Sequence, residues 1–234
     1  MINKIKSLLG LGKESQGQQR EQIEEKDKEA LEETNQIEGV IISADTLREK
    51  RVPPGQTQTT KWPVLHAGMI PQVDIKSWNF RLFGLVEQEW LCSYEEFLAL
   101  PKVKVKGDFH CVTSWSRLDN LWEGVSTKEL VSKVKINPEA KYVLVHAEQG
   151  WTTNMPLEDF LAEDCLFAYK HDGKKLSVDH GYPLRLVVPS LYAWKSAKWV
   201  RGVEFLAQDK AGFWERGGYH MKGDPWTEER YRWS

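Results

Sequence analysis

Every one of the 11 tryptophans, 7 tyrosines and 8 phenylalanines in this 234-residue chain lies at or beyond Trp62. Aromatic side chains bury the most apolar area per residue, so the first quarter of the chain cannot build a core like that of the remainder. From Gly12 to Asn35 it is Gln, Glu and Lys with scattered Ala and Leu, too little apolar area to offset the entropy of ordering. Ile2, Ile5, Leu8 and Leu9 recur at helical spacing beside Lys4, Lys6 and Lys13. Two readings stay open there: a frayed terminus, or a helix making weak contact with a membrane surface or a partner. The stretch from Arg51 to Thr60 reads as an extended linker, because its prolines and polar run disfavour both helix and packed strand. The expected organisation is a polar arm and linker over residues 1–60 and a folded domain over 61–234.

Charge and cysteine usage narrow the class. With 32 Lys+Arg against 34 Asp+Glu, there is no global excess to neutralise phosphates, and no nucleic-acid partner is expected. No apolar run approaches the ~18 residues of a spanning helix, so no transmembrane segment is expected. The start MINKIKSLLGLG lacks a cleavage site. Cys92, Cys111 and Cys165 cannot all pair with one another, which fits a reducing compartment and predicts a cytoplasmic protein.

Beyond Trp62 the pattern is mixed. Trp78–Gly84 alternates bulky residues as a half-buried strand does, and Ser93 with Glu96 forms a capping box that opens a helix to Leu100. A further strand leads through Val103, Val105 and Phe109 to Cys111, followed by a loop over Val112–Asp119. Ser126 and Glu129 open a helix through Val134, and Asn154 is placed to cap a helix over Pro156–Leu161. Strands are expected at Lys141–His146, Cys165–Tyr169, Leu184–Val188 and Trp199–Leu206, with a turn at His171-Asp-Gly173. Strands joined by short helices, without regular βαβ alternation, predict an α+β domain.

Two segments can carry chemistry. Cys111 stands where a strand meets a loop, and His110 and Arg117 are near enough in sequence to favour its thiolate, as nucleophile or as ligand to a soft metal. Zinc is disfavoured, since no two Cys or His ligands occur at C-x-x-C or H-x-x-x-H spacing. Cys92 and Cys165 lie inside apolar elements and read as small core residues. The second segment, His180 to Val203, carries Arg185, Lys195, Lys198 and Arg201 and no carboxylate. Its prolines, glycines and Ser190 and Ser196 suit a loop that offers N–H groups, hydroxyls and cations to a phosphate, although a solvated basic face has the same composition. The fingerprints G-x-G-x-x-G and G-x-x-x-x-G-K-[ST] are absent.

Together these segments resemble the sulfite-oxidase-like family of molybdopterin-binding oxidoreductases. His180-Gly-Tyr-Pro-Leu-Arg-Leu-Val-Val-Pro189 followed by Lys195-Ser-Ala-Lys-Trp199 is similar to the family's [HN]-G-x-P-x-R-x-x-x-P and K-x-x-K-W segments. Asp108-Phe-His-Cys-Val-Thr-Ser-Trp115 is similar to the element that carries its metal-binding cysteine. Pro63–Pro71 followed by Trp78–Gly84 is similar to the segment that opens the fold. The resemblance implies a mixed-sheet α+β molybdopterin-binding domain, without the immunoglobulin-like dimerisation domain of sulfite oxidases. It implies molybdenum held by one pyranopterin, with Cys111 as metal ligand and catalytic centre. His180, Arg185 and Lys198 would grip the pterin and its phosphate, with contacts from Ser196 and His66. Arg117, farther along the loop, is the remaining catalytic candidate.

True sulfite oxidases surround the metal with arginines. Here the Asn-Arg pair expected after Cys111 is replaced by Ser114-Trp115, so a small neutral S-oxide or N-oxide suits the pocket better than sulfite. A separate electron-transfer partner is then required for two-electron oxygen-atom transfer. The alternative class is a molybdopterin carrier that binds through the same residues without turnover.

Overall fold

The computed structural model describes residues 39–233; the expected N-terminal amphipathic segment and polar arm lie outside them. The first of two sheets runs in the order β1 (Val40–Ile42), β5 (Val103–Cys111), β6 (Trp115–Ser126), β9 (Leu166–His171) and β10 (Lys174–Lys175). Onto it β2 (Thr57–Gln58) adds against β6, and β11 (Arg185–Val187) against β9. The second sheet runs β4 (Trp90–Ser93), β3 (Asn79–Gly84), β12 (Val200–Leu206), β7 (Tyr142–Ala147) and β8 (Thr152–Pro156). The pairs β1 with β5, β2 with β6 and β3 with β12 are parallel and the other ladders antiparallel, so both sheets are mixed.

The larger core joins the two sheets. Phe80 and Leu82 of β3, Val145 of β7 and Phe205 of β12 pack with Val125 of β6 and Phe167 of β9. Each is fully buried, and a side chain of this size contributes about 1.5–3 kcal/mol when removed from water. Strand period two shows along β9: Phe167 and Tyr169 face this core, while Leu166 and Ala168 face a second one with Val105, Phe109, Trp122 and Val187. A one-residue slip of β9 would exchange the two sets, which fixes its register. The second core is the floor on which the candidate site is built.

Local chemistry explains the short elements. Ser93 Oγ accepts from the Glu96 amide at 3.2 Å and Glu96 Oε2 accepts from the Ser93 amide at 2.8 Å, closing the capping box of α1 (Tyr94–Ala99). Ser126 Oγ accepts from Glu129 N at 3.1 Å to start α2 (Thr127–Val131). That helix is shorter than expected, because beyond Val131 the chain continues in tighter i to i+3 turns at Lys133 and Val134. At the hairpin between β9 and β10, Asp172 and Gly173 have φ of 47° and 73°, both left-handed as a two-residue turn matched to strand twist requires.

Several expectations differ from the structure. The folded unit takes in residues from Val40 on, not from Lys61. The stretch read as linker is indeed extended, but Arg51 forks onto the buried Asp108 carboxylate at 2.6 and 3.0 Å, and β2 joins the sheet. The loop after Cys111 is only Val112–Ser114, since Trp115 already pairs back across to Cys111. Asn154 caps no helix: it lies in β8, and α3 (Leu157–Phe160) is preceded by Pro156.

Candidate functional site: a cavity lined by Cys111 and two cations

A cavity of about 270 Å³ opens where the end of β5, the start of β11 and the loop before β12 meet. Cys111, the last residue of β5, lines it, as do His180, Arg185, Ser196, Lys198 and His66. All six residues expected around a cofactor are thus brought to one space. Arg117 is not among the lining residues. Its guanidinium bonds Asn120 Oδ1, lies 3.1 Å from His171 Nε2 and pairs with Asp172 at 2.6 Å. The cause is the short turn after Cys111, which puts Arg117 into β6 opposite Phe109 rather than in a loop.

The turn at residues 178–181 organises the cationic wall. Its first three carbonyls each accept from a side chain: Val178 from Trp199 Nε1 at 2.6 Å, Asp179 from Lys198 Nζ at 2.7 Å, and His180 from Arg185 Nη1 at 3.1 Å. Gly181 follows at φ 113°, and a Cβ there would lie 3.0 Å from the Cβ of Arg185 and 3.2 Å from that of Lys198. Only a residue without a side chain lets the two cations close on this turn.

Arg185 is buried to 2% exposure; besides His180 its guanidinium reaches the Ser196 carbonyl at 3.1 Å and a long contact to Leu186 O at 3.5 Å, and it stands 5.4, 5.1 and 5.3 Å from the ring centroids of Trp62, Phe109 and Trp122. Burial alone pushes its pKa down to about 9. Lys198 is lowered to about 7, by burial first and by the like charge of Arg185 second. Among the described residues neither cation has a carboxylate within ion-pair distance. Buried charge without a counter-charge is costly, and an anionic guest would supply what the chain withholds. Ser196 Oγ accepts from Val188 N at 3.0 Å and holds the loop against β11.

Lys195 has a different place from its basic neighbours. It is fully buried and pairs with Glu215 at 2.6 Å, while donating to Asn154 O, Asn154 Oδ1 and Met221 O at 2.9, 3.0 and 2.6 Å. Its charge is satisfied inside the fold, under Trp194, whose Nε1 donates to the same Glu215 carboxylate at 2.8 Å.

Cys111 Sγ lies 3.1 Å from Thr113 Oγ1, and burial pushes the thiol up against the lowering influence of Thr113 and of the Arg230 charge. A thiolate there needs a compensating positive centre. Among the described residues no three His, Cys, Asp or Glu side chains group as a metal site, so a metal at Cys111 must bring its other ligands with it. A soft sulfur and two cations without a carboxylate partner, lining one cavity, fit a molybdenum pterin dithiolene with its phosphate. Sequence reasoning missed Trp62, Thr113, Trp194 and Tyr219, which also line the cavity. Trp62 bordered the supposed linker and carried no motif, and Tyr219 lies beyond the last recognised segment.

The fold and the donor set define a cofactor-binding redox domain. The family model for the oxidoreductase molybdopterin binding domain matches residues 66–214, and the chain belongs to this family of molybdenum-molybdopterin oxidoreductases. It is 53% identical over 184 residues to the uncharacterized oxidoreductase YuiH of Bacillus subtilis, covering 78% of this chain and 93% of that one. It is 26% identical to the sulfite oxidase of Arabidopsis thaliana over 71% of this chain, and 27% identical to the protein-methionine-sulfoxide reductase catalytic subunit MsrP of Campylobacter jejuni over 60%. The match spans 52% of the length of each of those two relatives. The solved sulfane dehydrogenase SoxCD of Paracoccus pantotrophus shares the fold, with a TM-score of 0.55 and 21% identity, covering 60% of this chain and 41% of that one. Among the described residues no helix is long and apolar enough to cross a membrane.

Proposed function

We propose that this oxidoreductase reduces a small neutral S-oxide or N-oxide by two-electron oxygen-atom transfer. Cys111 is the protein ligand to molybdenum, and His180, Arg185 and Lys198 hold the pterin and its phosphate. The observation that carries the substrate preference is the direction of Arg117. With that guanidinium paired to Asp172, the only Arg or Lys side chains among the described lining residues are Arg185 and Lys198. In this reading those two cations serve the cofactor's anionic end, and Arg230, which stands behind the Cys111 turn, does not line the cavity, so a sulfite dianion has no lining cation left to pair with, whereas a neutral oxide needs none.

When bound, the cofactor supplies the redox centre for the exchange. The chain does the rest. Arg185 and Lys198 offset anionic charge at the pterin end, Cys111 contributes a soft donor, and Trp62, Trp115 and Trp199 exclude water from the cavity. In the net reaction a sulfoxide takes up two electrons and two protons, its sulfur–oxygen bond breaks, and a thioether and one water leave. A separate partner protein delivers the electrons. The cysteine usage, with Cys92, Cys111 and Cys165 all free thiols, supports a cytoplasmic setting.

The test is expression in a host that makes the cofactor, with molybdenum per chain measured for the wild type and Cys111→Ser. Turnover is assayed with reduced viologen against S-oxides and N-oxides, and with sulfite and an artificial oxidant. The expected result is near-stoichiometric metal, turnover of a neutral oxide and none of sulfite. Cys111→Ser should keep fold and pterin but lose turnover. Full metal with efficient sulfite oxidation overturns the substrate reading, and full metal with no turnover on any oxide favours a carrier.

A further inference from the structure

The turn that carries Cys111 is held from outside by parts of the chain that the family match does not include. Within the turn the Ser114 amide donates to the Cys111 carbonyl at 3.0 Å, and Ser114 sits at φ 68°, a left-handed conformation unfavourable for a residue with a side chain. Such geometry persists only where surroundings over-determine it. Here Gln56 Nε2 donates to the Cys111 carbonyl at 3.0 Å, Arg230 Nη1 donates to the Val112 carbonyl at 2.7 Å, and the Thr57 amide donates to the Ser114 carbonyl at 3.0 Å. Arg230 joins the two sides of this clamp, because its Nη2 also donates to the carbonyls of Gly55 and Pro54 at 3.2 and 3.4 Å. Its guanidinium stands over the Tyr192 ring at 5.2 Å, with Glu228 3.8 Å away, and its side chain is 14% exposed. One charged, largely buried side chain thus ties residues 54–55 to residue 112.

The geometry points to Arg230 and Gln56 as positioning residues for Cys111, fixing the direction in which its sulfur enters the cavity. This rests on the reading of Cys111 as the molybdenum ligand. Neither residue lines the cavity; each acts through the backbone of the turn, and the Arg230 charge in addition favours the Cys111 thiolate. Partners that orient a metal ligand typically alter affinity or activity by about 10–100-fold when removed.

The test compares wild type, Arg230→Met, Arg230→Lys, Gln56→Leu and Cys111→Ser, as loaded enzyme and as cofactor-free protein. In the loaded enzyme the Mo(V) electron paramagnetic resonance signal reports the orientation of the sulfur donor. In the cofactor-free protein the rate of maleimide labelling at Cys111, assigned by peptide mapping, reports how firmly the turn is closed. Arg230→Met is expected to shift the Mo(V) g values and to lower kcat about 10–100-fold with KM little changed. Compared at equal thiolate fraction, from the pH profile of each variant because loss of the Arg230 charge by itself raises the thiol, labelling should be about tenfold faster, the loss expected for one hydrogen bond from a charged donor. Arg230→Lys should recover part of each effect, and Gln56→Leu should shift the same signal. If Arg230→Met does not fold, Gln56→Leu decides. A wild-type spectrum and labelling rate in the folded variants, with a changed spectrum in Cys111→Ser, overturns the positioning role alone. An unchanged spectrum in Cys111→Ser removes the ligand reading on which it stands.

Discussion

His180 meets Trp62 in two ways: the rings stack with centroids 3.7 Å apart, and His180 Nε2 lies 3.3 Å from the Trp62 carbonyl oxygen. A carbonyl only accepts, so Nε2 carries a proton; Nδ1 lies 2.9 Å from the Ser177 hydroxyl, which also hydrogen-bonds the Asp179 carboxylate. Burial, the largest influence, lowers the His180 pKa against the pull of Asp179, so the imidazole is neutral at pH 7. It walls the cavity as a neutral plane held in one tautomer. Trp62→Ala should release that ring, costing about 1–3 kcal/mol in urea unfolding of the cofactor-free protein, less than a fully buried tryptophan would. It should also reduce cofactor retention during gel filtration; unchanged retention would remove Trp62 from the site.

Arg185 separates a binding role from a structural one. Its guanidinium lacks a carboxylate and is penalised by burial, so Arg185→Met should leave the cofactor-free protein within about 1–2 kcal/mol of wild-type stability, relief of desolvation offsetting the lost carbonyl contacts. Molybdenum per chain should fall at least about tenfold, the equivalent of 1.4 kcal/mol of lost anion binding. A variant that unfolds outright would show that the fold itself needs the charge.

Lys198 predicts a pH dependence. Its folded pKa is about 7 against an ordinary value of 10.5, so between these values the unfolded chain binds more protons than the folded one. Stability of the cofactor-free protein therefore rises with pH through this window, relative to Lys198→Met, by an amount on the order of a few kcal/mol. The check is the difference in unfolding free energy between the two proteins at pH 6, 8 and 10. A difference that is flat, or falls with pH, contradicts the geometry of this wall.

The Lys195–Glu215 pair behaves oppositely, because both partners are fully buried and 2.6 Å apart. Lys195→Met or Glu215→Leu alone should cost about 3–5 kcal/mol by stranding one charge, while the double variant should recover most of the loss. Chemical denaturation of all four proteins measures the coupling; additive losses would show that the two charges are not paired.

What could be read from the sequence followed local pattern. The alternation of Trp78–Gly84, the Ser93–Glu96 box and the His171-Asp-Gly173 turn are short-range signals, and each marks an element that forms. The cofactor-binding segment was legible as well, since Arg185, Ser196 and Lys198 share one stretch without carboxylates. β6 was hidden. Both its faces are covered, and irregular register near Phe109 and Gly124 breaks the alternation that betrays a half-exposed strand. With β6 unseen, Arg117 was left in a loop. Residues 40–58 were hidden for another reason: Arg51 finds Asp108 across 57 positions of chain, and no local pattern encodes such a partner. Asn154 likewise has the composition of a cap, and its use as an anchor for Lys195 depends on a residue 41 positions away.

At residue 181 the decisive group is a methyl that is missing. The stems of Arg185 and Lys198 crowd the place where a side chain would start, so any larger residue there pushes them off the turn whose carbonyls hold their charged ends. A guest would therefore meet two cations anchored to one turn. Alanine at this position would detune the receptor while leaving every ligand-facing side chain chemically intact.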